Sequence, residues 1–332
     1  MQEDKRSNVP AIHRTALPMA GSIVGIDVPA MIAEFGAQGQ FAWEEYFSGR
    51  IRNPHTRKAY LHAVRRFLAW VESIGVALDQ ITPGMIGRYF DEHPGSPPTK
   101  KMHMSAIRGM FDALVLRHVV ILNPALSVAT EKFSATEGKT PEITPEQARQ
   151  LIRSIELDSE VAYRDRAVIG VLVYTAARVG AVAKLRIMDL IDDGTQRALQ
   201  FHEKGGKQRL IPVRHDLESY LTDYMHAANL QIGAKDSPLF RTAMGRTGLL
   251  SERQVTAIDI CRMIKRRLKA AALPSRISPH SFRACACTDL LLQGVPMEDV
   301  QYLLGHSDPS TTKLYDRRQR QVTRNIVERI SV

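Results

Sequence analysis

The sequence is poor in cysteine, in acid relative to base, and in long apolar runs. Its 332 residues hold three cysteines, Cys261, Cys285 and Cys287. These are too few, and wrongly spaced, for a disulfide framework or a zinc finger, and they suit a reducing compartment. No apolar stretch stands between a basic start and a small-residue cleavage site, so no secretory leader is expected. The longest apolar run, Ala167 to Ala177, is too short to cross a bilayer and reads as a buried helix. A cytoplasmic protein without a membrane partner is the expectation. The sequence also has no GxxxxGK[ST] loop for nucleotide phosphates, no HExxH and no paired CxxC. The clustered acids of a metal-dependent nuclease are missing as well, as are internal repeats and low-complexity tracts.

What is present is base. Lys and Arg number 45 against 35 Asp and Glu, a formal net charge of +10, and the hydrophobic fraction is 44%. That fraction is ample for folded cores. The charge balance favours a polyanionic partner, most simply nucleic acid.

Along the chain, residues 1 to about 40 mix Pro, Gly and charge without period and read as a flexible arm. From Asn53-Pro54 an apolar stripe of Tyr60, Val64, Phe67, Val71 and Ile74 marks a helix that stops at Gly75. Arg57, Lys58, Arg65 and Arg66 lie between the stripe positions, as a solvated face or as contacts to a phosphate backbone. Thr82-Pro83 opens a second helix and Thr99 to Leu116 forms a third, with Lys100, Lys101 and Arg108 exposed. The polar stretch "EKFSATEGKTPE" (131–142) reads as a linker. Beyond it, Thr144, Pro145 and Gln147 spell a capping-box start, and Arg164 to Leu185 reads as helix interrupted near Thr175 to Gly180. "RALQFHEKGGKQRLIPV" changes to a strand period, with Gly205-Gly206 at a hairpin turn. After it the chain returns to helices.

Several residues stand out chemically. Arg178, in "YTAARVGAVAKLR", falls in an apolar helical stretch where an unpaired charge is costly. It either meets an internal carboxylate or points into a site that receives an anion. Lys204 and Lys207 flank two glycines at the hairpin tip, where a lysine is usually solvated but the turn is free to approach another backbone. In "SPHSFR", Pro279 opens a helix whose positive end carries His280 and Arg283 on one face, an arrangement that favours an oxyanion. In "LLGHSDPSTTKLY", Gly305 ends a helix, His306 lies in the turn, and Asp308-Pro309 starts a helix carrying Tyr315. A zinc site is the rival use of the histidines, but Cys285 and Cys287 are two apart on a helix and point to different sides.

Taken in order, Arg178, Lys204, His280, Arg283, His306 and Tyr315 resemble the tyrosine recombinase (phage integrase-like) family. The matching phrases are "TAARVG", "HEKGGKQRLIPV", "SPHSFRACACTDLLLQG", "VQYLLGHSDPSTTKLYDR" and, earlier, "NPHTRKAYLHAVRRFLAW"; they fall within about residues 40–330. Two positions depart from the family pattern. Ala181 stands where an acidic residue often follows the first Arg, and Ala284 where His or Arg often follows the second.

The resemblance implies a mainly α fold. A flexible arm (1–40) would precede a helical, DNA-binding core-binding domain (41–130). A linker (131–143) would lead to a helical catalytic domain with a small antiparallel sheet and a C-terminal docking tail (144–332). It also implies a site-specific recombinase that uses neither metal nor nucleotide cofactor. Tyr315 would be the nucleophile, His280 the base, Lys204 the acid, Arg178 and Arg283 the phosphate clamp, and His306 a phosphate hydrogen-bond partner. The implied partners are double-stranded DNA recombination sites and three further copies of the chain, as a homo-tetramer on two duplexes in the nucleoid. In the family a tail such as "RRQRQVTRNIVERISV", with its stripe of Val322, Ile326 and Ile330, docks on a neighbouring protomer. The alternatives are a type IB topoisomerase-like relaxing enzyme and a catalytically weak DNA-binding accessory protein.

Overall fold

The structure is a computed structural model that describes residues 26–131, 140–141, 143–192, 194–202, 206, 208–230, 234–306 and 312. The chain divides into two compact units, residues 1–134 and 135–332.

The first unit is helical: α1 (Ala30–Ala33), α2 (Gly36–Glu44), a π-helical turn (Glu45–Arg50), α3 (Pro54–Ser73), α4 (Pro83–Glu92) and α5 (Pro97–Leu116). The last three helices each begin with proline after a capping-type residue. Asn53 accepts from the His55 and Thr56 amides, and Thr82 from that of Met85, so local chemistry sets two of the starts. Gly75, at φ +67°, permits the stop of α3. Val64, Phe67 and Val71 of α3 are buried with Ile107, Phe111 and Leu114 of α5 and with Trp43 and Phe47. Full burial of each such side chain contributes about 1.5–3 kcal/mol. Gly109 lets the Tyr46 ring close on α5, where a Cβ would stand 2.5 Å from the phenol oxygen; that hydroxyl donates to the Ala106 carbonyl.

Among the described residues helical structure thus begins at Ala30, ahead of residue 41, and Met31 and Ile32 belong to the core. Two of the basic residues are structural rather than freely solvated. Arg108 is half-buried and donates to the Ala125 and Val128 carbonyls, and Arg57 donates to the Ile51 carbonyl.

The second unit runs α6 (Pro145–Arg153), α7 (Glu160–Thr175), α8 (Val179–Val182), β1 (Leu190–Asp192), β2 (Arg197–His202), β3 (Gln208–Pro212), α9 (His215–Ala227), β4 (Arg241–Ala243), β5 (Leu250–Gln254), α10 (Ala257–Ala270), α11 (Pro279–Leu292) and α12 (Met297–Leu304). Helix α6 starts on the capping box of Thr144 and Gln147. Strands β1, β2 and β3 form an antiparallel sheet in which Phe201 faces Arg209 and His202 faces Gln208. A second sheet, β4–β5, was not anticipated from the sequence.

Helix α7 is buried along most of its length. Its Asp165 is fully buried and gathers three arginines. Arg164 approaches one carboxylate oxygen at 2.5 and 3.1 Å, while Arg266 and Arg267 of α10 approach the other at 2.9 and 2.8 Å. This cluster ties α10 to α7. A satellite core of Ala176, Ala284, Cys287, Leu291, Val300 and Leu304 packs α12 against α11.

Candidate active site

The site is built where three helix termini meet. Helix α7 ends at Ala176, which takes a left-handed conformation (φ 50°), and Arg178 follows at the start of α8. The arginine is therefore exposed at a junction rather than buried inside an apolar helix. Helix α11 opens at Pro279 after a capping box at Ser278, which places His280 and Arg283 in its first turns. Helix α12 ends at Gly305, also left-handed (φ 61°), and His306 comes next.

Arginines converge on the last carbonyls of α12. Arg178 donates to Gly305 at 3.3 Å, Arg283 donates to Leu304, and Arg209 of β3 donates to Leu303. The final carbonyls of a helix have no intrahelical partner and carry its partial negative charge, so guanidinium groups suit them. Arg283 is only 2% exposed, and its other terminal nitrogen donates to the Ala176 carbonyl at 2.7 Å. The ends of α7 and α12 are thereby stapled by one side chain from α11. Ala181 and Ala284, the two departures from the family pattern, are both buried.

The histidines share this cluster. His306 is half-buried; lost hydration, then Arg283, Arg178, His280 and Arg209, push its pKa down to about 4. Its Nδ1 lies 2.9 Å from the hydroxyl of Thr312, which is itself fully buried. His280 has an exposed side but is shielded on the other. That shielding, followed by Arg283 and Arg178, holds its pKa below the ordinary imidazole value. Both rings are therefore neutral near pH 7 and retain a lone pair able to take a proton or a hydrogen bond.

The structure thus brings Arg178, His280, Arg283 and His306 together. Lys204 and Tyr315 lie outside the described residues, as do Lys207 and the C-terminal stripe. Lys204 belongs to the loop joining paired residues His202 and Gln208. At the base of that loop, His202 meets the buried Asp189 at 3.1 Å. Sequence reading missed Arg209; the only signal was a basic residue in an otherwise apolar strand. Among the described residues, no group of His, Cys, Asp and Glu is arranged to hold a metal ion. Among them too, no helix is long and apolar enough to cross a membrane.

Comparison with known proteins gives these features a context. Residues 141–321 match the Phage integrase family, and residues 42–118 match the Phage integrase, N-terminal SAM-like domain. The tyrosine recombinase XerD of Ralstonia nicotianae is 28% identical over 293 residues, covering 84% of this chain and 88% of the relative. In structure the chain is similar to XerH site-specific recombinase bound to palindromic difH substrate in a post-cleavage complex. The TM-score is 0.66 with 19% identity, over 84% of this chain and 80% of that one. A lambda integrase tetramer bound to a Holliday junction is also similar, with a TM-score of 0.60 and 18% identity over 84% and 77% of the two chains.

Proposed function

The chain belongs to the phage integrase family and is a tyrosine-type site-specific recombinase, and on that premise we propose how its own residues cut and rejoin DNA. Tyr315 attacks a backbone phosphate, forming a 3′-phosphotyrosine and releasing a 5′-hydroxyl. A free tyrosine has a pKa near 10. Its proton therefore passes to His280, whose lowered basicity keeps the ring neutral and ready to accept. Arg178 and Arg283 hold the two non-bridging oxygens as negative charge grows in the transition state, and His306 donates a hydrogen bond to the same phosphate. Lys204 gives a proton to the departing 5′-oxygen. The covalent bond conserves the phosphodiester energy, so a 5′-hydroxyl from a second duplex can attack it and exchange strands. Two such exchanges pass through a four-way junction.

The observation that carries this reading is the convergence of Arg178 and Arg283 on adjacent carbonyls of α12 beside two neutral histidines. Guanidinium groups held in place before the reaction need no reorganisation when charge develops, and one such donor is worth about 3 kcal/mol.

The partners are double-stranded recombination sites and three further copies of the chain. The similarity to a tetramer on a Holliday junction supports that assembly. So does a groove of about 550 Å³ among α6, α7, α9 and α11, with Phe282, Leu290 and Leu303 in its wall and Arg149, Arg153 and Arg214 beside them. Its apolar wall suits the Val322, Ile326 and Ile330 stripe of a neighbour's tail.

The test is Tyr315→Phe on a nicked suicide duplex. DNA affinity should stay within about twofold, while the covalent protein–DNA adduct disappears because only the attacking oxygen has been removed. An adduct of normal yield from the Phe variant would overturn the assignment.

A further inference from the structure

Arg209 stands out among the groups that the proposed chemistry leaves unused. It is the second residue of β3, directly after the loop that carries Lys204, and it is only 8% exposed. Its cross-strand neighbour is Phe201, and its guanidinium carbon lies 5.7 Å from the centre of that ring. The same guanidinium donates to the Leu303 carbonyl, one residue before the carbonyl that holds Arg283 and two before the one that holds Arg178. One side chain thus ties the base of the hairpin to the helix end on which the arginine pair rests. No other described hydrogen bond or ion pair joins β3 to α12.

A buried arginine is an expensive way to join a strand to a helix. Lost hydration must be recovered through contacts such as those with the carbonyl and the aromatic face. An apolar side chain would fill the same space without that cost. What arginine adds is direction. A planar, charge-assisted donor fixes the strand and the helix end in one relative register, which dispersion contacts alone do not.

We propose that Arg209 is a positioning residue that locks the base of the β2–β3 hairpin to the C-terminus of α12, so that Lys204 and the arginine pair act on one phosphate. The proposal rests on the reading of Lys204 as a group acting at that phosphate. It does not require that Lys204 be the proton donor. The role assigned to Arg209 is to hold these elements in place.

The test is a double-mutant cycle on the full chain. Single-turnover adduct formation is measured at saturating DNA, alongside DNA affinity and thermal unfolding. Arg209→Met should slow cleavage by about 100-fold, the cost of roughly 1 Å of misplacement at a reacting centre. DNA affinity should remain within about twofold, since no phosphate contact is lost. Arg209→Lys, which keeps the charge and one donor, should recover part of the rate. Combining Arg209→Met with Lys204→Ala should give an enzyme no slower than Lys204→Ala alone, because a lysine that is absent cannot be misplaced.

Additive losses in the double variant would overturn the proposal, since Arg209 would then act elsewhere. So would equal losses in affinity and rate, which would make it a DNA-backbone contact, or an Arg209→Met variant as fast as the parent. If Arg209→Met does not fold, the same cycle run with Arg209→Lys decides between additivity and its absence. A 5′-bridging sulfur substrate separates the two levels of the reading. If sulfur fails to restore Lys204→Ala while the cycle stays non-additive, the proton-donor role of Lys204 falls and the positioning role of Arg209 stands.

Discussion

Replacing Arg283 should damage stability and catalysis by separable amounts, because the side chain does two jobs with one guanidinium. It is 2% exposed and donates to the carbonyls of Ala176 and Leu304, at the ends of α7 and α12. In Arg283→Ala both carbonyls lose their donor in a buried setting. Each unsatisfied group costs about 1–3 kcal/mol, so the unit that holds them should lose about 2–6 kcal/mol. The catalytic loss is a different quantity. Removing one preorganised donor to a developing oxyanion costs about 3 kcal/mol, a factor of about 100 or more in rate. It appears in cleavage at saturating DNA and not in affinity.

Arg283→Lys separates the two effects. It keeps the charge and can satisfy one carbonyl, so roughly half the stability should return. It cannot reproduce the planar fork, so the rate should stay low. A third readout is electrostatic. Arg283 is the largest charge holding down the pKa of His306, so its removal should raise that pKa from about 4 towards the ordinary imidazole value, as followed by ring-proton NMR shifts. The assays are urea unfolding, anisotropy with a labelled duplex, and adduct formation on a nicked duplex. Stability within about 0.5 kcal/mol of the parent, the range of ordinary surface substitutions, would refute the staple. Losses of affinity equal to losses of rate would refute the clamp.

Two further outcomes follow from buried charge elsewhere. Asp165→Asn should cost about 3–5 kcal/mol, because Arg164 and Arg267 keep their charge in a largely buried site while the carboxylate is gone; Arg266, 60% exposed, should add little. A shift of the thermal transition by less than about 2 °C would contradict this. In the first unit, burial, then His93, His62 and Arg66, push the pKa of His103 down to about 4. The unfolded chain, with an ordinary imidazole near 6.5, then binds more protons than the folded one between these two values. The stability contribution is complete above the unfolded pKa and is lost as pH falls from about 6.5 towards 4. His103→Gln should flatten that part of the curve of unfolding midpoint against pH, and an unchanged slope would show that another group controls it.

Much of this architecture is written in short-range chemistry. Asn53-Pro54, Thr82-Pro83, Thr144-Pro145 and Ser278-Pro279 each announce a helix start, because a cap and a proline act within one turn. Gly75 and Gly305 mark stops for the same local reason. The hairpin is legible because its period and its glycines agree. The three-residue strands β1 and β4 are too short to establish a period, so only pairing in the folded chain reveals them. Helices α1 and α2 hide among glycines and charges, and what secures them is burial of Met31, Ile32 and Trp43 in a core assembled from distant segments. Arg57 and Arg108 look like solvated charge in one dimension, since their acceptors are backbone carbonyls that no letter of the sequence encodes.

The same blindness to carbonyls explains why the substitution at residue 181 looks more damaging in sequence than in structure. A carboxylate three residues after Arg178 would orient a guanidinium and partly cancel its charge. Here Ala181 is a buried residue of α8, and Arg178 is oriented from another direction, by the Gly305 carbonyl. Arg283 and Arg209 are held on the two carbonyls immediately before it. A helix C-terminus supplies only about half an elementary charge, spread over several oxygens. It therefore directs the guanidiniums while neutralising them less than a full carboxylate would. A phosphodiester that gains negative charge in its transition state is stabilised by guanidinium charge in proportion to how little of it is consumed by the contacts that orient those groups.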